Sequence, residues 1–181
     1  MSMLSRLKQA LPGNARPANF GRVPVNPVEH PILGALTPDK THPHTLVGQV
    51  AYGEGFIAVQ ISPDNKSMDA ALSLMADAVS SLADLDEKCR RLIATDSLEG
   101  YNTRWRFGQR ALTNGAFENF EKPLLSEKEF RANLQFQSVE ATGDSLLTLW
   151  YGDNDMFWGH GLYVDSFDGV QFKDTHVSMF G

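Results

Sequence analysis

With 181 residues, 42% of them hydrophobic and 21% charged, the chain is long enough to fill one core and too apolar for a largely disordered protein. Its net charge of -6 excludes the clustered positive field of a nucleic-acid binder, and no apolar run approaches the length of a membrane span. The one cysteine, Cys89, has no intramolecular disulfide partner, so packing alone must hold the fold, as suits a reducing cytoplasm.

Residues 1–30 hold four bases and one acid, residues 31–140 eleven and fifteen, and residues 141–181 one and six. The acidic end of the chain makes a basic protein the expected partner. The start lacks the unbroken apolar core of a signal peptide, which points to a cytoplasmic protein. Leu4, Leu7 and Leu11 fall on one face of a short helix, but Pro12, Gly13, Pro17, Pro24 and Pro27 then break the chain repeatedly. Residues 1–27 are therefore read as a flexible, proline-rich arm and residues 28–181 as a single domain.

Within that domain, residues 45–52 and 56–62 flank Gly53-Glu54-Gly55, and Ile57, Val59 and Ile61 alternate with smaller or polar neighbours, predicting a β-hairpin. The period then changes. Met68, Leu72, Met75, Val79 and Leu82 recur at helical spacing behind Ser67, the expected N-cap. A second helix is expected from Asp84, with Glu87 completing a capping box, Leu85, Cys89, Leu92 and Ile93 on its buried face, and its end before Gly100. Residues 100–123 carry Tyr101, Trp105, Phe107, Phe117 and Phe120 without a period that separates helix from loop. Ser126-Glu127-Lys128-Glu129 is another capping box and opens a short helix through about Asn133.

Four strands are predicted thereafter, near residues 134–141, 145–151, 157–166 and 170–178. The turns between them are Thr142-Gly143-Asp144, Gly152-Asp153-Asn154-Asp155 and Asp168-Gly169. The expected fold is α+β: an antiparallel sheet of about six strands, made of an N-terminal hairpin and a C-terminal meander, with two to three central helices on one face.

Residues 146–161, Leu-Leu-Thr-Leu-Trp-Tyr-Gly-Asp-Asn-Asp-Met-Phe-Trp-Gly-His-Gly, form the densest chemical signal in the chain. If residues 157–164 form one strand, Trp158, His160, Leu162 and Val164 share a mainly apolar face. His160 is then a core or rim histidine holding one hydrogen bond, with an acid–base or metal-ligand role as the functional alternative. Asp153 and Asp155 offer oxygen ligands to a hard cation, but the remaining positions of a calcium loop are absent, and Asx turns form without any metal. His30, Asp39, His42 and His44 lie near one another in sequence and could ligate a transition metal, although a solvated loop explains them as well. Cys89 reads as a small buried hydrophobe. Neither Ser145 nor Ser178 lies in a nucleophile elbow, and no phosphate-cradling glycine loop occurs. No cofactor is expected.

The order of these pieces resembles an uncharacterised bacterial family, the domain of unknown function 2262. The resemblance runs from His30-Pro31-Ile32-Leu33-Gly34 through Pro123-Leu124-Leu125-Ser126-Glu127-Lys128-Glu129-Phe130 to Leu149-Trp150-Tyr151-Gly152-Asp153-Asn154-Asp155-Met156-Phe157-Trp158-Gly159-His160 and the strand containing Phe172. It implies a bacterial, intracellular, single-domain α+β protein, and it brings no activity or catalytic residue with it. The functional expectation is a non-enzymatic protein-binding module, in its narrower form an immunity-type partner that blocks a basic toxin. Its contact surface would be built from Trp150, Asp153, Asn154, Asp155, Phe157 and Trp158. The alternative is a small-molecule or divalent-metal-dependent enzyme centred on His160 with Asp153 or Asp155.

Overall fold

The alternation of Ile57, Val59 and Ile61 produces the strand it predicts. In the computed structural model, which describes residues 25–181, this strand is β4 (Gly55–Ser62), antiparallel to β3 (Leu46–Tyr52) across the loop Gly53-Glu54. Gly53 takes φ +58 there, a conformation that favours glycine. Two short strands precede the hairpin, β1 (Val28–His30) and β2 (Gly34–Pro38). Between them the His30 Nδ1 accepts the N–H groups of Ile32 (3.2 Å) and Leu33 (3.3 Å), and Leu33 and Leu36 are buried. The expected arm over residues 1–27 lies outside the described residues apart from its last three, where the Val25 N–H reaches the Pro43 carbonyl at 2.9 Å.

The first helix, α1 (Met68–Ser80), starts where Ser67 accepts the Ala70 N–H, and it buries Leu72 and Met75. The second, α2 (Leu82–Gly100), begins two residues before the expected start, at Leu82. Glu87 makes no capping box there; it pairs with Arg91 and with Arg131 instead. Leu85, Cys89 and Ile93 do form the buried face. The helix does not end before Gly100: that glycine keeps helical angles, and the chain winds on through a π-helical turn, Tyr101–Trp105. A separate hairpin follows, β5 (Phe107–Ala111) with β6 (Phe117–Glu121), in the segment whose pattern was unreadable. The third helix, α3 (Glu127–Asn133), carries the complete Ser126/Glu129 capping box.

The last four strands are β7 (Gln135–Thr142), β8 (Leu146–Gly152), β9 (Gly161–Ser166) and β10 (Thr175–Phe180). Together with β1 to β4 they make one eight-stranded sheet in the order β1-β2-β3-β4-β7-β8-β9-β10, against the expected sheet of about six strands. The sheet is not wholly antiparallel. Its centre is a parallel pair, β4 with β7, in which Ala58 faces Ser138 and Ile61 faces Ala141. The helices pack on one face, over Val59, Ile61, Val139, Ala141, Leu147, Leu149, Leu162 and Val164.

Two strand boundaries also differ from expectation. The β9 strand starts at Gly161 rather than at residue 157, because Asn154, Asp155, Trp158 and Gly159 take positive φ and coil the preceding segment. The β10 strand starts at Thr175 rather than at residue 170. Before it, Gly169–Gln171 form a 3-10 turn, and the Asp168 carboxylate accepts the Lys173 N–H and the Ser166 hydroxyl. No helix among the described residues is long and apolar enough to cross a membrane.

A buried polar knot ties helix to sheet. Asp86 on α2 accepts the hydroxyls of Tyr52 (2.6 Å) and Tyr151 (2.9 Å) and the Nε of Arg90 (2.8 Å). Arg90 then donates to the Arg131 and Leu134 carbonyls at the end of α3, at 2.8 and 2.6 Å. Asp86→Ala leaves Arg90 uncompensated, so chemical denaturation should show a loss of about 3 to 5 kcal/mol, against about 1 kcal/mol for Tyr52→Phe. Burial, reinforced by Asp86, raises the Tyr52 hydroxyl from 10.0 to about 12, and burial raises the Cys89 thiol from 9.0 to about 12. Both groups hold their protons more tightly in the folded chain than in the unfolded one. Their contribution is complete below pH 9 and is lost as the pH climbs to 12. Denaturant midpoints should therefore fall between about pH 9 and about pH 12, less steeply in Tyr52→Phe.

Candidate functional site

The aromatic and acidic stretch between β8 and β9 is organised by one carboxylate. Asp153 is buried and accepts the N–H groups of Asp155 (3.1 Å), Phe157 (2.7 Å) and Gly159 (3.2 Å). Those donors would otherwise need a neighbouring strand, which explains why residues 153–159 coil instead of extending β9. The four successive residues at and after the tip behave differently. Asn154 is exposed and joins Asn133 to Gln135 through its amide, at 2.9 and 3.2 Å. Asp155 is exposed and pairs with Lys122 at 2.9 Å, and the same ammonium also reaches the Asp155 carbonyl. Met156 and Phe157 are buried.

Phe157 is thus a core residue, edge-on to Tyr101, Trp105 and Phe130 at centroid distances of 6.0, 5.6 and 6.0 Å. The π-helical turn beyond α2 is what brings Trp105 to this place, where its ring also meets that of His160 at 5.2 Å. His160 is half-buried in the loop, so the strand face expected for Trp158 and His160 does not form. Its Nδ1 lies 2.5 Å from the Phe157 carbonyl, which can only accept, so Nδ1 carries the proton and Nε2 is the basic nitrogen.

Trp158 turns outward, at φ +62 and 40% exposed, and lies against the β5–β6 hairpin. Its Nε1 donates to the Trp105 carbonyl at 3.1 Å, and the Lys122 Nζ sits 3.9 Å from the ring centroid. Phe120 meets it edge-on at 5.2 Å. The approach is possible because residue 108 is glycine: a Cβ there would stand 2.4 Å from the indole. Trp150 lies elsewhere, on the sheet face away from the helices, grouped with Tyr163 and Phe180 at 4.7 and 4.9 Å. The six residues expected to share one contact surface therefore divide into two interior groups (Asp153, Phe157), a loop tip (Asn154, Asp155), a hairpin contact (Trp158) and a sheet-face cluster (Trp150).

A shallow groove of about 360 Å³ borders the loop, lined among others by Gln135, Gln137, Asn154, Asp155, His160 and Phe180. It presents amides and an imidazole. Asp153 gives its oxygens to three backbone N–H groups, and Asp155 pairs with Lys122. Near the N-terminus, Asp39 accepts the Thr41 hydroxyl and the Thr41 and His42 N–H groups, and these bonds, the Thr41 hydroxyl foremost, lower its carboxyl to about 2. Among the described residues no group of three or more His, Cys, Asp or Glu side chains is arranged to hold a metal ion.

The hairpin is the part that sequence reasoning missed. Phe107, Leu112 and Phe117 are exposed on it, Phe117 at 71%, and a groove of about 550 Å³ runs between Phe107, Gln109, Asn119 and Phe120. Its base is fastened by three side chains. Asn102 exchanges two hydrogen bonds with the Leu125 backbone (2.9 and 3.0 Å), Tyr101 donates to the Pro123 carbonyl (3.0 Å), and Arg106 donates to the Lys122 carbonyl (3.0 Å). The one available signal was Gly108 and Gln109 between aromatics with Asn114-Gly115 beyond, a turn dipeptide at hairpin spacing.

Two substitutions separate the roles. Asp153→Ala removes the acceptor of three buried or half-buried N–H groups and should cost about 3 kcal/mol in denaturant melts. Gly108→Ala should push the Trp158 ring out of its notch and shift tryptophan emission to the red with a small change in melting temperature.

Comparison with known families places these features in one group. A family model described as an uncharacterized protein conserved in bacteria, DUF2262, matches residues 30–177, a span that holds β2 to β9, all three helices and the hairpin. No curated protein and no solved structure matches the chain. The chain is a member of the bacterial DUF2262 family.

Proposed function

We propose that this protein is a non-enzymatic binding module that docks a protein partner on the β5–β6 hairpin and the adjoining Trp158. The observation that carries the reading is the exposure of Phe107, Leu112 and Phe117 on a two-stranded hairpin outside the main sheet. An isolated hairpin has little stability of its own, and exposed aromatics on one are typical anchors of an interface. Arg110–Glu118 at 2.6 Å and Arg106–Glu121 at 2.5 Å edge the same surface, supplying a charged rim around an apolar centre.

An immunity-type role against a basic toxin is the narrower form of this reading, and its support is the net charge of -6. The acids expected to steer such a partner contribute less than their number suggests, since Asp153 is interior and Asp155 is paired. The partner is better sought through apolar contacts than through charge alone.

Affinity capture from the native bacterium, comparing the parent chain with Phe107→Ser/Phe117→Ser, tests the proposal. Capture of a stoichiometric protein by the parent and its loss in the double variant, at an unchanged melting temperature, is the expected result. Equal capture by both chains would move the interface elsewhere.

A second reading, a small-molecule or divalent-metal-dependent enzyme centred on His160 with Asp153 or Asp155, draws on the groove beside His160. It requires added magnesium, calcium or zinc to raise the melting temperature and His160→Ala to abolish the shift. Under the binding reading the melting temperature ignores both ion and chelator.

A further inference from the structure

A two-stranded hairpin has two edges, and those of the β5–β6 hairpin differ in chemistry. The Lys122 N–H donates to the Arg106 carbonyl and the Leu112 N–H to the Ala116 carbonyl, so the even-numbered residues of β5 bond inward across the hairpin. Phe107, Gln109 and Ala111 therefore point their N–H and C=O groups away from β6, and Phe117, Asn119 and Glu121 point theirs away from β5. No third strand among the described residues joins either edge. On β5, Phe107, Gln109, Arg110 and Ala111 are all exposed. Charge is the usual guard against edge pairing, and here it is unequal. The β6 strand carries Glu118 and Glu121, whereas β5 carries Arg110 alone.

The β5 edge is complementary to itself. When two copies meet antiparallel about a two-fold axis at Gln109, Gln109 stands opposite Gln109, Phe107 opposite Ala111 and Gly108 opposite Arg110. No like charges face each other. Ala111 already lies opposite Phe117 within the hairpin, so the pairing flanks it with Phe117 of its own chain and Phe107 of the second copy. Those two rings are 71% and 47% exposed in the single chain. The middle row becomes a ladder of amides, since the Gln109 Nε2 already donates to the Asn119 Oδ1 at 2.9 Å and the second copy repeats that bond. On the other face Arg110 comes opposite the glycine that makes room for the Trp158 ring. The same operation on the β6 edge, about Asn119, sets Glu121 opposite Phe117 and Glu118 opposite Phe120, which matches rings with carboxylates.

We propose that a second copy of this chain is the partner of the hairpin, joined through β5 into a four-stranded sheet in the order β6-β5-β5-β6. This pairing presupposes that the hairpin is a docking surface, as proposed above, and it names the occupant. The outward residues of the two β5 strands exchange about six backbone hydrogen bonds. Two rows of Phe and Ala supply the apolar burial. A pair of five-residue strands is a small interface, which sets the dissociation constant on the order of micromolar.

Sedimentation velocity of the full chain across the micromolar range should show a monomer–dimer equilibrium. Gln109→Pro removes an N–H that the second copy uses, twice per dimer, and should weaken association about thirtyfold or more. Asn119→Pro, on the other edge, should leave association unchanged. Cysteine variants give an answer that does not depend on how the hairpin tolerates proline. The two-fold axis sets the Gln109 Cα atoms about 5.5 Å apart, within disulfide reach. Under a mild oxidant Gln109→Cys should therefore yield a covalent dimer and Asn119→Cys should stay monomeric, with Cys89 buried and out of competition. A monomeric parent, equal association of the two proline variants, or equal cross-linking of the two cysteine variants overturns the proposal. If the monomeric parent still captures a foreign protein that Phe107→Ser/Phe117→Ser loses, the second copy is excluded and the hairpin keeps its docking role. Equal capture by both chains would remove the docking surface itself.

Discussion

A single buried carboxylate holds the layers of this molecule together. Asp86 extends from the buried side of α2 to hydroxyls on β3 and β8, strands from opposite halves of the sheet, and its third contact, Arg90, reaches the carbonyls where α3 ends. Burying a carboxyl group is unfavourable unless it is hydrogen-bonded, and here three donors arrive from three elements. The arrangement therefore fixes relative positions: α2 cannot slide along the sheet without breaking one of the three contacts. Apolar packing around it, Phe136 stacked on Tyr151 at 5.2 Å and edge-on to Tyr52 at 5.3 Å, is tolerant of small shifts in a way these bonds are not.

Asp153 repeats the device at smaller scale. A carboxylate that looked available to a ligand serves the backbone of its own loop, and that loop in turn aims Phe157 inward and Trp158 outward. The functional consequence is a division of labour within six residues. The inward ring joins the aromatic core under the π-helical turn, and the outward ring supports a hairpin that would otherwise have no packed side. Lys122 completes the joint, since its ammonium serves Asp155 and the Trp158 ring together.

Much of this was legible in the amino-acid order wherever one periodic face met one core. The alternation of β4, the stripe of α1, the buried side of α2 and the capping box of α3 are local patterns with local causes. Residues 28–38 escaped because three- and five-residue strands are too short to display a period. The segment 101–121 escaped because its aromatics serve three different environments, the π-helical turn, the hairpin and the Trp158 notch, so no single face repeats. Residues 153–160 misled for another reason: Trp158, His160, Leu162 and Val164 fall at the spacing of one strand face, yet the Asp153 carboxylate takes the Asp155, Phe157 and Gly159 N–H groups. Side-chain capture of backbone donors leaves no mark in hydrophobic periodicity.

The parallel joint between β4 and β7 has a consequence for how the chain can vary. Ala58 and Ser138 are neighbours in space, and everything between them, two helices, the hairpin and α3, is one long excursion that leaves the sheet and returns beside its point of departure. The entropy of closing such an excursion grows only with the logarithm of its length, about 0.6 kcal/mol for each doubling. Lengthening or shortening the hairpin tip around Asn114 therefore leaves the register of the sheet intact. The same sequence separation delays the meeting of the two sheet halves during folding, since each half can form from local contacts before the joint closes.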